Sequence, residues 1–467
     1  MKRSTGAASI LAISIATVSV GTPRETRAAG FAAARFGGEH GNVVTTNPTA
    51  LYFNPAGIAF SEGTHIFVDG TLALRSASWE HPRSPNDPPD PMGAEGQSTG
   101  KATLFNVFGG PMLGATTKLG NLAFGASLSV PFGGRASWDK NEAFPRSGGD
   151  PSTQFPLAVD GIQRWHGIDG ALTFIYLTAG AAYRIGPLAI GATGNLVLSS
   201  IKSLQAKGFA GTGRPEPNNE GRAEIDVSGT HGSFGLGAML EALPNRLWVG
   251  ASYQAQPGLG PQVLSGTLTN VYLGSNAPFP VKFNQALPDI VRLGARFRPS
   301  ETLELRAFGD FTRWSVLKTQ CVVLANKDYP CAVNPNGSDA SGSGAVLQNL
   351  RRRWNDTFGI RGGVSHWLKP TVELFAGLGY ETAAVPDETL DPSIGDANNL
   401  SAALGARFGI IPAVFVAGSY THIQFLNRDN IGKSELALPS FPTARADGGG
   451  KYTQWIGLFN VNVEAKF

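Results

Sequence analysis

The sequence lacks any long apolar run beyond its first twenty residues, and it holds little of the side-chain chemistry that enzymes and metal sites need. A helix that spans the ~30 Å hydrocarbon core of a bilayer takes roughly 20 apolar residues, and no such run follows residue 20. Its seven histidines are scattered without metal-ligand or triad spacing, and no GxSxG motif is present. We therefore predict no cofactor and no bound metal, and we do not expect an enzyme.

The first 28 residues have the pattern of a secretory signal peptide. Two basic residues precede an apolar run at 7–20, which is too short to span a bilayer as a helix. Thr26 and Ala28 place small residues at positions suited to a cleavage site. We predict export and cleavage near residue 28, in preference to a buried N-terminal helix.

Cleavage there would leave a mature chain of balanced charge. The full sequence has 38 basic and 35 acidic residues, and residues 1–28 contain four basic residues and one acidic residue, which leaves 34 of each. A balanced chain gives no electrostatic reason to expect a nucleic-acid partner.

Only two cysteines occur, Cys321 and Cys331, within a polar segment. In an exported protein such a pair is expected to form a disulfide that closes a small surface loop. The spacing fits none of the usual zinc patterns, and no histidine lies nearby.

Sixty glycines, few methionines and a hydrophobic period of two predict an all-β chain. Leu122 to Val130 alternates apolar with small or polar side chains, and residues 459–467 do the same. One apolar and one polar face per strand fits either a soluble sandwich or a membrane barrel.

The connections between predicted strands alternate strictly between short and long, and this distinguishes the two folds. Outer-membrane barrels have short periplasmic turns and long extracellular loops, whereas a sandwich has no reason to sort its loops. Six tight turns and seven long loops make thirteen connections, so we predict a 14-stranded antiparallel transmembrane β-barrel. The long segments lie near residues 79–100, 132–167, 201–223, 257–288, 315–353, 383–398 and 426–452.

Two further features have to fit this barrel. A strand-like run at 262–273 would make the count odd, so we assign it to an extension of the seventh strand above the membrane. Aromatic residues near predicted strand ends are interpreted as membrane-interface belts. They are Trp79, Trp248, Trp314, Trp354, Trp367, Tyr380 and Trp455.

The polar faces of two neighbouring strands predict a charged lumen. Arg292 and Arg296 would point inward from one strand, opposite Glu304, Arg306 and Asp310 on the next. Cross-strand charges of opposite sign stabilise a sheet. We favour a structural ion-paired lattice over direct contact with a transported molecule.

A barrel of fourteen strands is wide enough for an aqueous channel unless something fills it. Residues 29–62 precede the first strand and are too apolar to lie in water, so we predict an N-terminal hatch that is buried and partly helical inside the barrel. Two Asn-Pro bends, at 47–48 and 54–55, would direct its exit into the first strand. Residues 63–467 would form the barrel.

The third strand ends its alternation at Pro131, Phe132, Gly133 and Gly134. Proline cannot donate to a ladder, and glycine offers no side chain to pack against the next strand. Pairing with the second or fourth strand should break here and leave a gap in the wall.

Motifs from residue 29 onward resemble the long-chain fatty-acid transporters of the bacterial outer membrane (FadL-type, including aromatic-hydrocarbon importers). No single motif is specific, but their combination is. The matching stretches are AGF at 29–31, Asn54-Pro55-Ala56, VPFGGRASW at 130–138, LPDIVRLGARF at 287–297, RWS at 313–315 and VPDETLDPSIGD at 385–396.

The resemblance implies fourteen strands, a hatch and gated, passive uptake of a hydrophobic small molecule such as a long-chain fatty acid or hydrocarbon. It places Asn54, Pro55 and Ala56 at the gating end of the hatch, Phe31 in an internal ligand pocket, and a lateral exit at 131–134.

The expected location is the bacterial outer membrane, where a monomer would be inserted by the barrel-assembly machinery. Arg351, Arg352 and Arg353 are candidates for contact with lipopolysaccharide phosphates, with a solvated loop end as the alternative. The runner-up function is a general porin for small polar solutes, and an outer-membrane lipid hydrolase is disfavoured because the sequence shows no nucleophile motif.

Overall fold

The computed structural model describes residues 35–85, 87, 90, 95–144, 158–208, 220–272, 275–327, 331, 334, 339–437 and 446–467. The predicted signal peptide and Phe31 lie outside these residues.

Nineteen antiparallel strands of the described chain belong to one sheet. Their bounds are β1 (Thr64–His81), β2 (Gly100–Leu119), β3 (Leu122–Ser137), β4 (Asp169–Ile185), β5 (Leu188–Gly208), β6 (Glu220–Leu243), β7 (Leu247–Gln254), β8 (Gln262–Tyr272), β9 (Ser275–Gln285), β10 (Ile290–Ser300), β11 (Leu303–Thr312), β12 (Thr319–Leu324), β13 (Val346–Arg351), β14 (Thr357–Lys369), β15 (Val372–Glu381), β16 (Asn399–Ile411), β17 (Val414–Phe425), β18 (Arg428–Asp429) and β19 (Lys451–Lys466).

Fourteen of these strands close into a barrel. The order around the wall is β1 to β7, then β10, β11, β14 to β17 and β19. The barrel closes where β1 pairs with β19, from His65 opposite Lys466 to Glu80 opposite Lys451. Closure removes the open edges that the first and last strands would otherwise present to lipid, where an unpaired backbone group is costly. The predicted 14-stranded antiparallel barrel is confirmed.

All six predicted tight turns join consecutive wall strands at one end of the barrel. Gly120 and Gly186 sit in two of these turns with φ of 63° and 59°, a left-handed conformation that glycine adopts without steric cost. Thr64 and Phe467 exchange backbone hydrogen bonds of 2.9 Å at this same end. The long segments therefore all lie at the opposite, extracellular end.

The strand-like run near 262–273 pairs differently from the sequence-based interpretation. β8 forms a hairpin with β9 and pairs with the outer part of β6, from Arg222 opposite Val271 to Ser228 opposite Ser265. β7 stops at Gln254 and has no extension. The reason is strand length, because β6 has 24 residues and its outer half needs a partner that the eight-residue β7 cannot supply.

Side chains alternate across the wall as predicted. On β19, Phe459, Val461 and Val463 are exposed on the outer face, whereas Asn460 and Glu464 are buried inside. Exposed leucine, isoleucine, valine and phenylalanine side chains on the other strands continue this apolar outer surface. Among the described residues, no helix is both long and apolar enough to cross a membrane.

Four tryptophans that were interpreted as interface residues are buried instead. Trp79, Trp248, Trp314 and Trp354 all have little exposed area. Trp79, for example, lies four residues from Arg75 on β1, and both side chains are buried inside. Proximity to a strand end does not determine which face a side chain occupies, and this is why the belt interpretation was wrong for these four residues.

Residues 35–62 lie inside the barrel as a plug, which we call the hatch. It contains a single α-turn, α1 (Ala50–Phe53), and two 3-10 segments, Gly38–His40 and Pro55–Phe60. Its apolar side chains, including Val44 and Leu51, pack against small and large residues of β3 to β7 and of β11. The hatch therefore occupies the lumen that would otherwise be open.

Candidate functional site

Asn54 is the central anchor of the hatch. Its side chain is fully buried, and its amide Nδ2 donates to the carbonyl oxygen of Val43 at 2.8 Å and to that of Ala238 on β6 at 3.0 Å. Its Oδ1 accepts from the Ala56 N–H at 3.2 Å and so caps the 3-10 segment that starts at Pro55. One amide group thus ties two parts of the hatch to the barrel wall.

Glycines in the wall make room for this anchor. A Cβ added to Gly237 on β6 would overlap the Asn54 Oδ1 atom, and one added to Gly191 on β5 would lie 2.7 Å from the Ala56 nitrogen. A Cβ on Gly250 of β7 would lie 2.5 Å from the Val43 oxygen. Three adjacent strands therefore present a glycine groove that lets the hatch backbone lie directly against the wall.

Polar contacts fix the hatch to other sides of the barrel. The His40 Nε2 atom lies 2.8 Å from the Glu373 carboxylate on β15. The Gly37 N–H donates to Asp69 on β1 at 3.2 Å, and the Ser252 hydroxyl on β7 donates to the Phe53 oxygen at 2.6 Å. The hatch is consequently held by strands on several sides of the lumen.

The charged lattice predicted in the lumen is present around Glu304, whereas Asp310 pairs with Arg361 and Arg292 contacts the hatch. Glu304 lies 3.1 Å from Arg298, 3.5 Å from Arg306 and 3.9 Å from Arg296. Arg292 lies over the ring of Tyr52 in the hatch, 4.7 Å from its centre. These charges fasten wall strands and hatch together.

A largely apolar cavity lies between Arg35, the first described hatch residue, and the extracellular loops. The volume open to the centre of a water molecule inside this cavity is about 110 Å³. Its lining comes from six wall strands, from the hatch and from two loops. The apolar part of the lining includes Phe108, Trp314, Trp354, Ile423, Phe425 and Ile456.

Three of the four charged side chains that line the cavity, those of Arg35, Arg361 and Asp396, are paired or hydrogen-bonded. Arg361 lies 3.3 Å from Asp310, and Arg35 donates to the Ser401 hydroxyl at 3.3 Å. The Asp396 carboxylate accepts backbone N–H bonds from the loop at 2.7 and 2.9 Å. Burial of this loop residue raises the pKa of Asp396 above its usual value. Glu381 also lines the cavity.

Pairing in the wall is interrupted next to this cavity. β3 pairs with β2 only as far as Ser129 opposite Met112, while β2 continues to Gly100 along β1. β3 keeps its pairing with β4, with an irregularity between Ser129 and Phe132. Pro131, Phe132, Gly133 and Gly134 are buried within this kink. Within the described strands, β2 and β3 are thus not paired with each other beyond Met112 and Ser129, on the extracellular side. We call this interruption the wall gap.

An aromatic cluster joins the kink to the cavity. The Phe132 ring lies 6.3 Å from that of Tyr176 and 6.2 Å from that of Trp314, which in turn lies 5.1 Å from that of Trp354. Both tryptophans line the cavity, as does Phe108, which belongs to the β2 segment without a β3 partner. Sequence reasoning missed these cavity residues because they come from distant parts of the chain.

The remaining predicted residues lie in the extracellular loops. Cys321 and Cys331 are bonded, with their Cα atoms 5.3 Å apart. Arg351 and Arg352 are buried, and Arg352 lies 3.3 Å from Asp391. Arg353, with a side chain 48% exposed, pairs with Glu435 at 2.5 Å, and contact with lipopolysaccharide phosphates stays a prediction.

A closed barrel with an internal plug and a buried apolar cavity defines the class of outer-membrane transport proteins. The chain matches the model of the family described as "Outer membrane protein transport protein (OMPP1/FadL/TodX)" over residues 11–436 and belongs to this family. It is thus an outer-membrane transporter of hydrophobic compounds, from a family of transport channels and not of enzymes.

Solved structures share the fold across nearly the whole chain. A FadL homologue from Pseudomonas aeruginosa is 17% identical, with a TM-score of 0.73 over 94% of this chain and 100% of its own. The toluene transporter TbuX of Ralstonia pickettii is 16% identical, with a TM-score of 0.60 over 95% and 99%. The toluene transporter TodX of Pseudomonas putida is 14% identical, with a TM-score of 0.61 over 95% and 99%. No curated protein matches the chain significantly in sequence.

Proposed function

We propose that this protein takes up small hydrophobic molecules passively, binds them in the cavity and releases them sideways through the wall gap into the outer membrane. The observation that carries this proposal is the position of Phe108. It lines the cavity and lies on the β2 segment that has lost its β3 partner. A single side chain thus borders both the ligand space and the interruption in the wall, so the two are neighbours.

The hatch supports a sideways route over a vertical one. Asn54 and the glycine groove seat it directly on the wall, and residues on several strands hold its remaining parts. Opening a vertical channel would break many buried hydrogen bonds at once, each costly to leave unmade. A lateral exit asks only that aromatic side chains beside the kink move. Since this route lies within one barrel, the protein would act as a monomer.

The charges around the cavity favour an uncharged ligand over a fatty-acid carboxylate. Arg361 is already paired with Asp310, Arg35 donates to the Ser401 hydroxyl, and the edge also carries the acidic residues Glu381 and Asp396. A carboxylate entering an apolar site loses its hydration, and here three acidic side chains face two guanidinium groups, so the net local charge opposes a further anion. Relatives in the fold include toluene transporters and a FadL homologue, and we propose a neutral hydrocarbon-like ligand for this chain.

Sealing the wall gap tests the exit route. β3 has one residue more than β4 between Ser129 and Phe132, so continuing the pairing of Met112 with Ser129 beyond this irregularity would bring Val107 opposite Arg135. We expect a Val107→Cys/Arg135→Cys pair, once oxidised, to abolish uptake of toluene into cells while binding to the purified protein persists. The matched control is a Leu113→Cys/Leu128→Cys pair, which bridges strands that are already paired.

Reduction should restore uptake in the sealed variant and leave the control unchanged. Both variants carry the Cys321–Cys331 bridge, so its reduction affects them equally. Normal uptake with the gap sealed would contradict lateral exit and require a path through the hatch.

A further inference from the structure

The outer part of β3 has backbone groups that face β2 but have no strand to pair with. Residues two apart in a strand direct their backbone groups toward the same neighbour. Pro131, Gly133, Arg135 and Ser137 therefore form one series along the edge that faces the wall gap. Pro131 has no N–H to satisfy, but the other groups need partners because unpaired backbone in a membrane wall is costly.

Two buried side chains supply partners for three of these groups. The Asn106 amide on β2 donates from Nδ2 to the Ser137 oxygen and accepts at Oδ1 from the Ser137 N–H, both at 3.0 Å. An amide side chain thus replaces the missing peptide partner. Arg75, on β1, donates from Nη1 to the Arg135 oxygen at 3.0 Å.

Arg75 is itself held in a fixed position. It is almost fully buried, and it donates from Nε and Nη2 to the Gln454 Oε1 on β19 at 3.0 and 2.6 Å. Gln454 lines the cavity. A guanidinium carries several donors in a rigid fork, so a single side chain can bind β19 and β3 at once, which a lysine cannot reproduce.

We infer that Arg75 and Asn106 are positioning residues that hold the outer part of β3 away from β2 by taking the place of the missing ladder. They satisfy three of the backbone groups that would otherwise favour pairing of the two strands, namely the N–H and C=O of Ser137 and the C=O of Arg135. The gap is then a stable state of the wall and not a transient defect. This inference rests on the lateral exit proposed above, since it concerns what keeps that exit open.

The rate of cross-linking across the gap measures this role directly. In the Val107→Cys/Arg135→Cys background, which keeps the backbone oxygen at position 135, we expect Arg75→Met to increase the rate of disulfide formation about tenfold. Loss of a charge-assisted hydrogen bond should shift the balance toward the paired wall by about this factor. Asn106→Leu should act in the same direction. The control is Arg306→Met, which removes a buried lumen arginine that belongs to the Glu304 lattice, and its rate should equal that of the parent.

A second readout separates positioning from general stability. In otherwise native, folded protein, Arg75→Met should lower the maximal rate of toluene uptake severalfold and leave the affinity of the purified protein for toluene unchanged. Arg75→Lys should give an intermediate rate. Folding is checked by the heat-dependent gel mobility of each barrel, and if Arg75→Met fails to fold, Asn106→Leu carries the same test.

The results that would overturn the positioning role differ from those that would overturn lateral exit. Unchanged cross-linking in folded Arg75→Met and Asn106→Leu would overturn the positioning role even if sealing blocks uptake. Faster cross-linking in these variants, with normal uptake through the sealed wall, would support the positioning role and overturn lateral exit.

Discussion

At the scale of single residues, Asn54 shows why an amide occupies the hatch bend. Its three hydrogen bonds satisfy two carbonyl groups and one N–H in a region without water access. A carboxylate could accept but not donate, and an aliphatic side chain could do neither. The Asn-Pro pair therefore combines a backbone restriction with a complete set of partners.

Replacing Asn54 should weaken the seat of the hatch. Asn54→Leu leaves three buried groups unpaired, at a cost of about 1–3 kcal/mol each, whereas the barrel outside the hatch keeps its ladder. We expect reduced uptake, normal insertion into the outer membrane and faster proteolysis near residue 54. Loss of insertion together with uptake would show that Asn54 serves only folding.

The glycine groove offers a sharper test with a control on the same strand. Gly237→Ala places a methyl group on the Asn54 Oδ1 atom, while Gly232→Ala, also on β6, meets nothing within 4 Å. The first variant should displace the hatch and lower uptake, and the second should behave as the parent. The comparison is made by hydrogen exchange of residues 35–62, and equal exchange in the two variants would contradict a tight seat.

At the scale of elements, the wall could be predicted from the sequence and the cavity could not. Strand number follows from local patterns, namely a period of two and short turns at glycine or proline. The hatch could be predicted from the apolar composition of its segment and from the position of that segment ahead of the first strand. Trp314 and Trp354, by contrast, were assigned to the membrane interface, because no local pattern shows that residues 40 apart meet in one cluster.

The same limit applies to Arg75. Its partners Arg135 and Gln454 lie 60 and 379 residues away. Only closure of the barrel brings β1, β3 and β19 together, so pairing of this kind is determined by topology and not by neighbouring sequence. The Pro131-Phe132-Gly133-Gly134 stretch did indicate where the ladder would change, since proline and glycine act on the backbone locally.

The extracellular loop at 319–351 should depend on its disulfide. A ring this small is stabilised by about 3 kcal/mol in the chain-entropy model. A Cys321→Ser/Cys331→Ser variant should expose this loop to protease while the barrel resists. In the native protein a thiol reagent should label neither cysteine before reduction, and labelling without reductant would contradict the bridge.

The contact of Asp387 with Lys433 and Arg428, in the loops, should depend on pH. Burial opposes ionisation of Asp387, but hydrogen bonds from Lys433, at 2.8 Å, and from Arg428 outweigh it and hold the pKa of Asp387 below its ordinary value of 3.8. A lowered pKa in the folded state stabilises the contact at higher pH, and this stability is lost as the pH falls below 3.8. Loop protection from proteolysis should decline there in the parent and decline less in Asp387→Asn.

At the scale of the whole molecule, the hatch should determine electrical behaviour. The lumen is filled by residues 35–62, so the purified protein should show no steady ion conductance in planar bilayers. A variant that lacks residues 29–62 should conduct, because a barrel of this size is wide enough for water once it is empty. Steady conductance of the complete protein would favour the porin alternative.

The closing pair of strands has a consequence for the order of folding. β1 follows the hatch directly, yet its partner β19 is the last strand of the chain, almost 400 residues later. Contacts of such long separation form slowly because the loop entropy must be overcome first. The apolar hatch is synthesised early and must wait, unenclosed, until the final strand arrives. Enclosure of the plug and closure of the wall are therefore one late kinetic event, and this is the step at which we expect the barrel-assembly machinery to act.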